Sequence, residues 1–468
     1  AIMAGRAPFS YAQNEKIRVA CIGTGGQGSM HVRVGLRGAQ ELEIVAVCDV
    51  YGPHQKLGCQ WGQISNAGIE LGPTGLTAAQ KERADAATIP EGFYDYKEML
   101  GKIKPDAVVI ATPLRTHYDI TMDCLDAGCY VFCEKTMCDD IEKARNVVKK
   151  CQSTGKFVQV GHQRRYNPMY NKALMMAQGE DKLGRITHID AQWHRNNDWR
   201  RPWDKNHKFN SKEAKYIKDL GKHLNWRLYQ ETSCGLMTEL ATHQLDIAAW
   251  FMGGMPKRVI GSGGLDYWKD DRDVFDSVNL VYEFEVKPGM AGYTPIKPRN
   301  AFEDPAKVNE PYTVRLVYSS IMANAKRGCS ELIQGDKGSF ELTETGSFFY
   351  VEPTAKVAWA SEGGGGNAAE KNASVITSGG TLQLSNKAQN QGEPITVDND
   401  REVDELQFMR FANDIRTGGM PKANQIVGLH ATIMAMTGYK AVHEGVSVDI
   451  DPALTQFDFP TPDPYVVS

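Results

Sequence analysis

Gly23, Gly25 and Gly28 stand in the order G-x-G-x-x-G within Gly23-Thr24-Gly25-Gly26-Gln27-Gly28, directly after the apolar run Ile17–Ile22. Glycines at that spacing suit the binding of a pyrophosphate. Gly23 permits a tight turn, and Gly25, with Gly26 and Gln27 beside it, lets backbone amides approach phosphates at a helix N-terminus. Gly28 lets that helix pack closely on the strand. In a chain with 45 glycines the hexapeptide alone would also pass for an ordinary turn. A second strand, Glu43–Cys48, then ends at Asp49, 21 residues beyond Gly28. A carboxylate there hydrogen-bonds a ribose 2′-hydroxyl and repels a 2′-phosphate, which points to NAD rather than NADP. The alternative for Asp49 is a helix cap or turn residue. Tyr51 and His54 follow, either flanking an adenine or simply exposed.

Lys135 follows another apolar run, Tyr130–Cys133, at the carboxyl edge where such sheets bind ligands. A partly desolvated lysine beside a cofactor has a lowered pKa, and can take the proton of a hydroxyl as a carbonyl forms. An exposed loop lysine is the plainer alternative. Glu239, His243 and Asp246 fall at i, i+4 and i+7, hence on one helical face. A carboxylate one turn from a histidine can hold its tautomer, making His243 a candidate acid/base or substrate ligand. A buried structural histidine is the competing reading. No third ligand has convincing spacing for a metal, so none is expected.

Gly161-His-Gln-Arg-Arg-Tyr-Asn-Pro168 supplies Arg164, Arg165 and Tyr166, which would reach cofactor or substrate, or else form interdomain salt bridges. His194–Trp203 mixes tryptophans and arginines, among them Trp199 and Arg200. Aromatic faces stack on the C–H faces of sugars and arginines bind hydroxyls or carboxylates; the same mixture is common at oligomer interfaces.

The elements that must position these residues come in two textures. Short apolar strands (17–22, 43–48, 107–111, 130–133, 157–160) alternate with helical patterns (27–36, 117–127, 139–151), which implies a doubly wound parallel sheet over residues 17–160. Beyond Gly161, strands at 186–193, 259–262, 277–284, 312–318 and 339–342 predict a large, mostly antiparallel sheet. A helix at 236–251 interrupts them, and helices at 404–416 and 423–443 close an α/β domain over 161–468. The glycine-rich stretch 361–392 reads as a surface insertion or flexible loop. Residues 1–16 read as a tail.

Length of 468 residues suggests two or three domains, and a net charge of -4 gives no electrostatic case for nucleic acid or an anionic membrane. No apolar run reaches the ~20 residues that span a bilayer. The ten cysteines include no CxxC pair, so structural thiols are expected.

In this setting three blocks resemble the glucose–fructose oxidoreductase and inositol dehydrogenase (Gfo/Idh/MocA) family. They are Ala111-Thr112-Pro113 with His117, Glu134-Lys135-Thr136, and Gly235–Asp246; Phe411–Gly418 adds to them. Threonine replaces the family's proline at 136, and Glu239 stands where aspartate is usual. The resemblance implies a Rossmann domain before an α/β domain whose open sheet has one face over the nicotinamide and the other at oligomer contacts. It implies that Ala111, Thr112, Pro113, His117, Glu134, Lys135 and Arg164 serve the cofactor. Lys135 and His243, with Glu239 and Tyr166, would manage protons, and Arg165, Trp199, Arg200 and Asp246 would meet the substrate. The expected activity is NAD-dependent oxidation or reduction of a secondary hydroxyl of a sugar, glycoside or cyclitol. NAD-dependent, redox-neutral glycoside cleavage is the alternative within enzymes, and a non-catalytic NAD sensor the alternative outside them. A homo-oligomer, dimer or tetramer, is expected. The small-residue-rich start, AIMAGRAPFSYAQN, resembles that of family members bearing twin-arginine signals and suggests a periplasmic or exported protein, otherwise a cytoplasmic one.

Overall fold

Apolar residues fill every position of β4 (Ala107–Ile110) and all but the first of β5 (Tyr130–Cys133), as expected of strands covered on both faces. In the computed structural model these join β1 (Ile17–Ile22), β2 (Leu42–Cys48), β3 (Glu91–Phe93) and β6 (Val158–Val160) in a parallel sheet of order β3-β2-β1-β4-β5-β6. The order reverses between β1 and β4, which opens a crevice beyond their carboxyl ends. The structure describes residues 15–70, 75–179, 181–290, 292–298, 301–343, 346–352 and 392–465. The tail to residue 14 and nearly all of the expected insertion at 361–392 lie outside them.

Among the described residues the second sheet has nine strands, in the order β14-β13-β12-β11-β7-β10-β9-β8-β15. Its core strands are β7 (Ile186–His194), β8 (Arg258–Gly264), β9 (Ser277–Val286), β10 (Tyr312–Ile321), β11 (Cys329–Gly335) and β12 (Gly338–Thr343). β13 (Ser347–Val351), β14 (Glu393–Pro394) and β15 (Val448–Asp449) extend it. Among the described residues of this sheet only β7 and β10 pair in parallel. β11 gave no readable strand pattern because its interior carries Glu331, fully buried.

The expected helix at 236–251 opens with a wide π-type turn, Met237–Ala241, and continues as Thr242–Met252. The two last helices return to the parallel sheet. Val403–Thr417 sets Phe408, Phe411 and Ile415 against Val19 and Val32. Gln425–Glu444 gives Ile426, Leu429 and Ile433 to the first core, and Met434, Ala441 and Val442 to the second. Neither core is complete without the C-terminal helices. Among the described residues no helix is long and apolar enough to cross a membrane.

Candidate active site

The turn after β1 has the close approaches its glycines predict. Gly23 has a φ of +83°, and a Cβ there would lie 2.6 Å from the Ala111 carbonyl oxygen. A Cβ at Gly28 would lie 1.9 Å from the Gly23 oxygen. Gly25 faces the crevice, where only the His54 ring comes near, at 3.3 Å from such a Cβ. A cradle of this shape fits a dinucleotide pyrophosphate. Asp49 is nearly buried; Oδ2 accepts from Thr24 N–H (2.8 Å) and Oδ1 from Tyr51 N–H (2.9 Å). Asp49 therefore orders the loop, and retains acceptor capacity for a ribose hydroxyl.

A cleft of about 760 Å³ runs from this loop and Asp49 past Thr112 and Pro113 to Glu134, Lys135 and Glu239. Its outer wall belongs to the second domain and is fastened across the cleft. Glu213 accepts from Gly52 N–H (2.8 Å), the Tyr216 hydroxyl donates to Asp95 (2.7 Å), and Arg115 donates to the Gln230 carbonyl (2.6 Å).

At the far end Glu134 is held on both sides. His31 Nε2 lies 2.7 Å from its Oε1, and Lys135 N–H donates to Oε2 at 3.1 Å. Burial pushes its pKa up, but His31 and then Lys135 outweigh this and hold the carboxyl below its ordinary value. The Lys135–Thr136 peptide is cis. Lys135 Nζ donates to the Glu239 carbonyl oxygen at 2.7 Å. Burial lowers the Lys135 pKa; Glu239 and Glu134 oppose the shift, and Arg227 and Arg195 reinforce it. His243 is 7% exposed, with Nδ1 buried and unpaired. Burial, and then the charges of Lys135 and Arg164, hold its pKa well below the ordinary value, so its ring is neutral. Trp193 lies 5.4 Å from that ring, and Arg195 stands over Trp193 and Trp199 at 5.0 and 5.6 Å.

Several expected roles are corrected. Glu239 does not pair with His243: its Oε2 accepts from Arg227 Nε at 2.8 Å, and no hydrogen bond joins it to the histidine. The wide turn around Glu239 breaks the 3.6-residue register on which that pairing rested. Arg164 is no cofactor ligand; it is buried against Glu331 and donates to Cys329 Sγ at 2.9 Å. Arg165 and Asp246 do not meet substrate, because they form one buried ion pair (2.8 Å) beside Trp250. Tyr166 is not placed for catalysis, since its oxygen accepts from Ala423 N–H at 3.2 Å in an apolar pocket. Arg200 is turned away to Asp270 and Asp271.

His117 offers the cleft no free nitrogen. Nδ1 lies 2.8 Å from the Thr136 carbonyl and Nε2 2.9 Å from that of Thr112. Burial opposes its charge, but the Cys133 sulfur and these carbonyls prevail and raise its pKa to about 9. His117 is thus a cationic brace between the ends of β4 and β5. Arg227, Trp193 and Arg201 carry no spacing signal in the sequence that singles them out; the last two lie beside or in the run His194–Trp203. No group of three candidate metal ligands occurs among the described residues.

Comparison with known proteins agrees with this geometry. The family description "Oxidoreductase family, NAD-binding Rossmann fold" matches residues 17–162, and "GFO/IDH/MocA C-terminal domain" matches residues 175–292. The chain belongs to the Gfo/Idh/MocA oxidoreductase family. Its cofactor is NAD, and the residues that would hold it are Gly23–Gly28, Asp49, Thr112, Pro113 and Glu134. Inositol 2-dehydrogenase of Rubrobacter xylanophilus is 31% identical over 186 residues, 40% of this chain and 46% of that protein. Glycosyl hydrolase family 109 protein 1 of Akkermansia muciniphila is 31% identical over 150 residues, 32% of this chain and 27% of that protein. These matches span less than half the length of either relative. The WlbA dehydrogenase from Bordetella pertussis, solved with NADH and UDP-GlcNAcA, shares the fold. It gives a TM-score of 0.58 at 17% identity, covering 93% of this chain and 99% of that one.

Proposed function

We propose that this Gfo/Idh/MocA protein oxidises or reduces a secondary hydroxyl of a sugar, glycoside or cyclitol. The observation that carries the reading is Lys135, fixed at the end of the NAD cleft with a lowered pKa and beside a neutral His243. NAD, when bound, would supply hydride exchange with the hydroxyl-bearing carbon of the substrate. In its deprotonated form Lys135 accepts the hydroxyl proton at Nζ as the carbonyl forms, and the ammonium returns it in the reverse direction. His243, uncharged, accepts a hydrogen bond from the substrate or relays the proton. Trp193, Arg195 and Trp199, layered beside His243, would contact a sugar ring bound there.

A second reading, redox-neutral glycoside cleavage, is favoured by the fastened outer wall of the cleft, whose cross-cleft hydrogen bonds would slow cofactor exchange. A carbonyl formed on the sugar would acidify the neighbouring C–H, and His243 would take that proton before elimination of the aglycone. Export to a periplasm and self-association through the open face of the second sheet belong to the same proposal; they rest on family resemblance. The deciding experiment supplies aryl glycosides and free sugars, with and without added NAD, and follows both aglycone and reduced nicotinamide. Reduced nicotinamide formed in proportion to added NAD supports the dehydrogenase. Steady aglycone release with no net reduction supports the glycosidase and overturns the first reading.

A further inference from the structure

Arg201 stands on the outer wall of the cleft, in the segment that the second domain lays over the parallel sheet. Its guanidinium rests against the glycine loop: a Cβ built on Gly26 would lie 2.8 Å from its Nη2 and 3.0 Å from its Nη1. Its backbone is fixed at both ends by one buried side chain. Asn225 Oδ1 accepts from Arg201 N–H at 2.6 Å, and Asn225 Nδ2 donates to the Arg201 carbonyl at 3.1 Å.

The two neighbouring arginines have acidic partners: Arg200 has Asp270 and Asp271, and Arg227 has Glu239. Arg201 has no hydrogen-bond acceptor or acidic partner for its guanidinium among the described residues. Arg201 is exposed overall, while the partial burial of its guanidinium in the cleft and then the charge of Arg227 lower its pKa. The glycine loop contributes no cation of its own, only Thr24 and Gln27 besides glycines. A guanidinium presents a planar fork of donors that matches phosphate oxygens, and such charge-assisted bonds are the strong ones.

We propose that Arg201 is a ligand of the dinucleotide pyrophosphate, closing the phosphate site from the second domain. The inference rests on the NAD reading of the glycine loop and extends it, because the cofactor is then gripped by both domains. An incoming pyrophosphate supplies the missing anion, and the fastened wall holds the fork in place for it.

Calorimetric titration of NAD, NADP and ADP-ribose into Arg201→Ala and Arg201→Lys tests this, with melting curves of the nucleotide-free proteins alongside. Arg201→Ala is expected to weaken NAD and ADP-ribose equally, by about ten- to a hundredfold, as for loss of a hydrogen bond to a charged group. Its nucleotide-free melting temperature stays at the wild-type value, and Arg201→Lys recovers part of the affinity. Unchanged affinity overturns the proposal. So does a matching fall in melting temperature, which would make Arg201 a support of the wall, or a loss confined to NADP, which would move it to the 2′ position. Failure of wild-type protein to bind NAD or ADP-ribose would instead overturn the reading of the glycine loop.

Discussion

Lys135 Nζ donates to the main-chain carbonyl of Glu239 across 2.7 Å, tying the end of β5 to the turn that leads into the His243 helix. A carbonyl anchor fixes the amine without neutralising it, and leaves two further positions on Nζ for substrate. Burial lowers the Lys135 pKa; the Glu239 carboxylate opposes that shift directly, while the Arg227 it holds reinforces it. The acid of this helix thus acts on the lysine rather than on the histidine one turn away.

Lys135→Met removes the proton carrier and keeps most of the volume. Turnover on an accepted substrate should fall by about a hundredfold or more, as for loss of a general acid/base. NAD affinity, measured calorimetrically, should stay within a few-fold of wild type, because the loop, Asp49 and Glu134 are untouched. Near-normal turnover would return Lys135 to a structural role.

Two glycines of one loop should fail differently. A Cβ at Gly28 would stand 1.9 Å from a backbone oxygen that cannot move away, so Gly28→Ala should disturb the fold and lower the melting temperature. A Cβ at Gly25 meets only the His54 ring at 3.3 Å but projects into the phosphate cradle. Gly25→Ala should therefore melt near wild type while losing NAD affinity by tenfold or more, roughly the value of one charge-assisted hydrogen bond. Equal melting temperatures for the two variants would contradict the packing described for Gly28.

The glycine loop and its strands were legible because everything they need is local: apolar runs, a spacing, a carboxylate at the next strand end. The arginines were not. Arg164 finds Glu331 167 residues away and Arg165 finds Asp246 81 residues away. No local pattern tells a buried structural guanidinium from one that meets a ligand. Those partners lie on β11 and on the helix Thr242–Met252, whose positions only the assembled second domain defines. His243 was found by its spacing, yet the neighbour inferred from that spacing was wrong, because the preceding turn is not α-helical.

Asp49 should govern the choice of nucleotide. Its carboxylate is nearly buried at the end of β2, with His54 Nδ1 3.7 Å from Oδ2, and a 2′-phosphate would meet its negative charge. Asp49→Ser should weaken NAD by about tenfold, losing an acceptor that also orders Thr24 and Tyr51, and should narrow the gap to NADP. Calorimetry with both cofactors on both proteins measures this. NADP binding to wild type as tightly as NAD would remove Asp49 from the role.

Stability against pH has two limbs, set by buried histidines of opposite sense. Burial is the largest influence on His162, His430 and His243; it holds the first two at about 4 and the third well below 6.5. Each takes up a proton near 6.5 only when the chain unfolds, so acid favours the unfolded state. Their contribution is complete above about 6.5 and is lost as pH falls from there toward about 4, at up to about 4 kcal/mol per pH unit if all three titrate together. His117 runs the other way. Its pKa is raised to about 9, so its contribution is complete below about 6.5 and is lost as pH rises through about 9. That loss amounts to about 3 kcal/mol. Thermal melts between pH 4.5 and 9.5 should therefore trace a dome centred near neutrality. His430→Gln should make the acid limb shallower by about one proton, and His117→Gln should flatten the alkaline limb while lowering the plateau. An acid limb unchanged in His430→Gln would mean that this ring is protonated in the folded protein despite its burial, its Nδ1–H then donating to the Tyr465 hydroxyl oxygen 2.7 Å away.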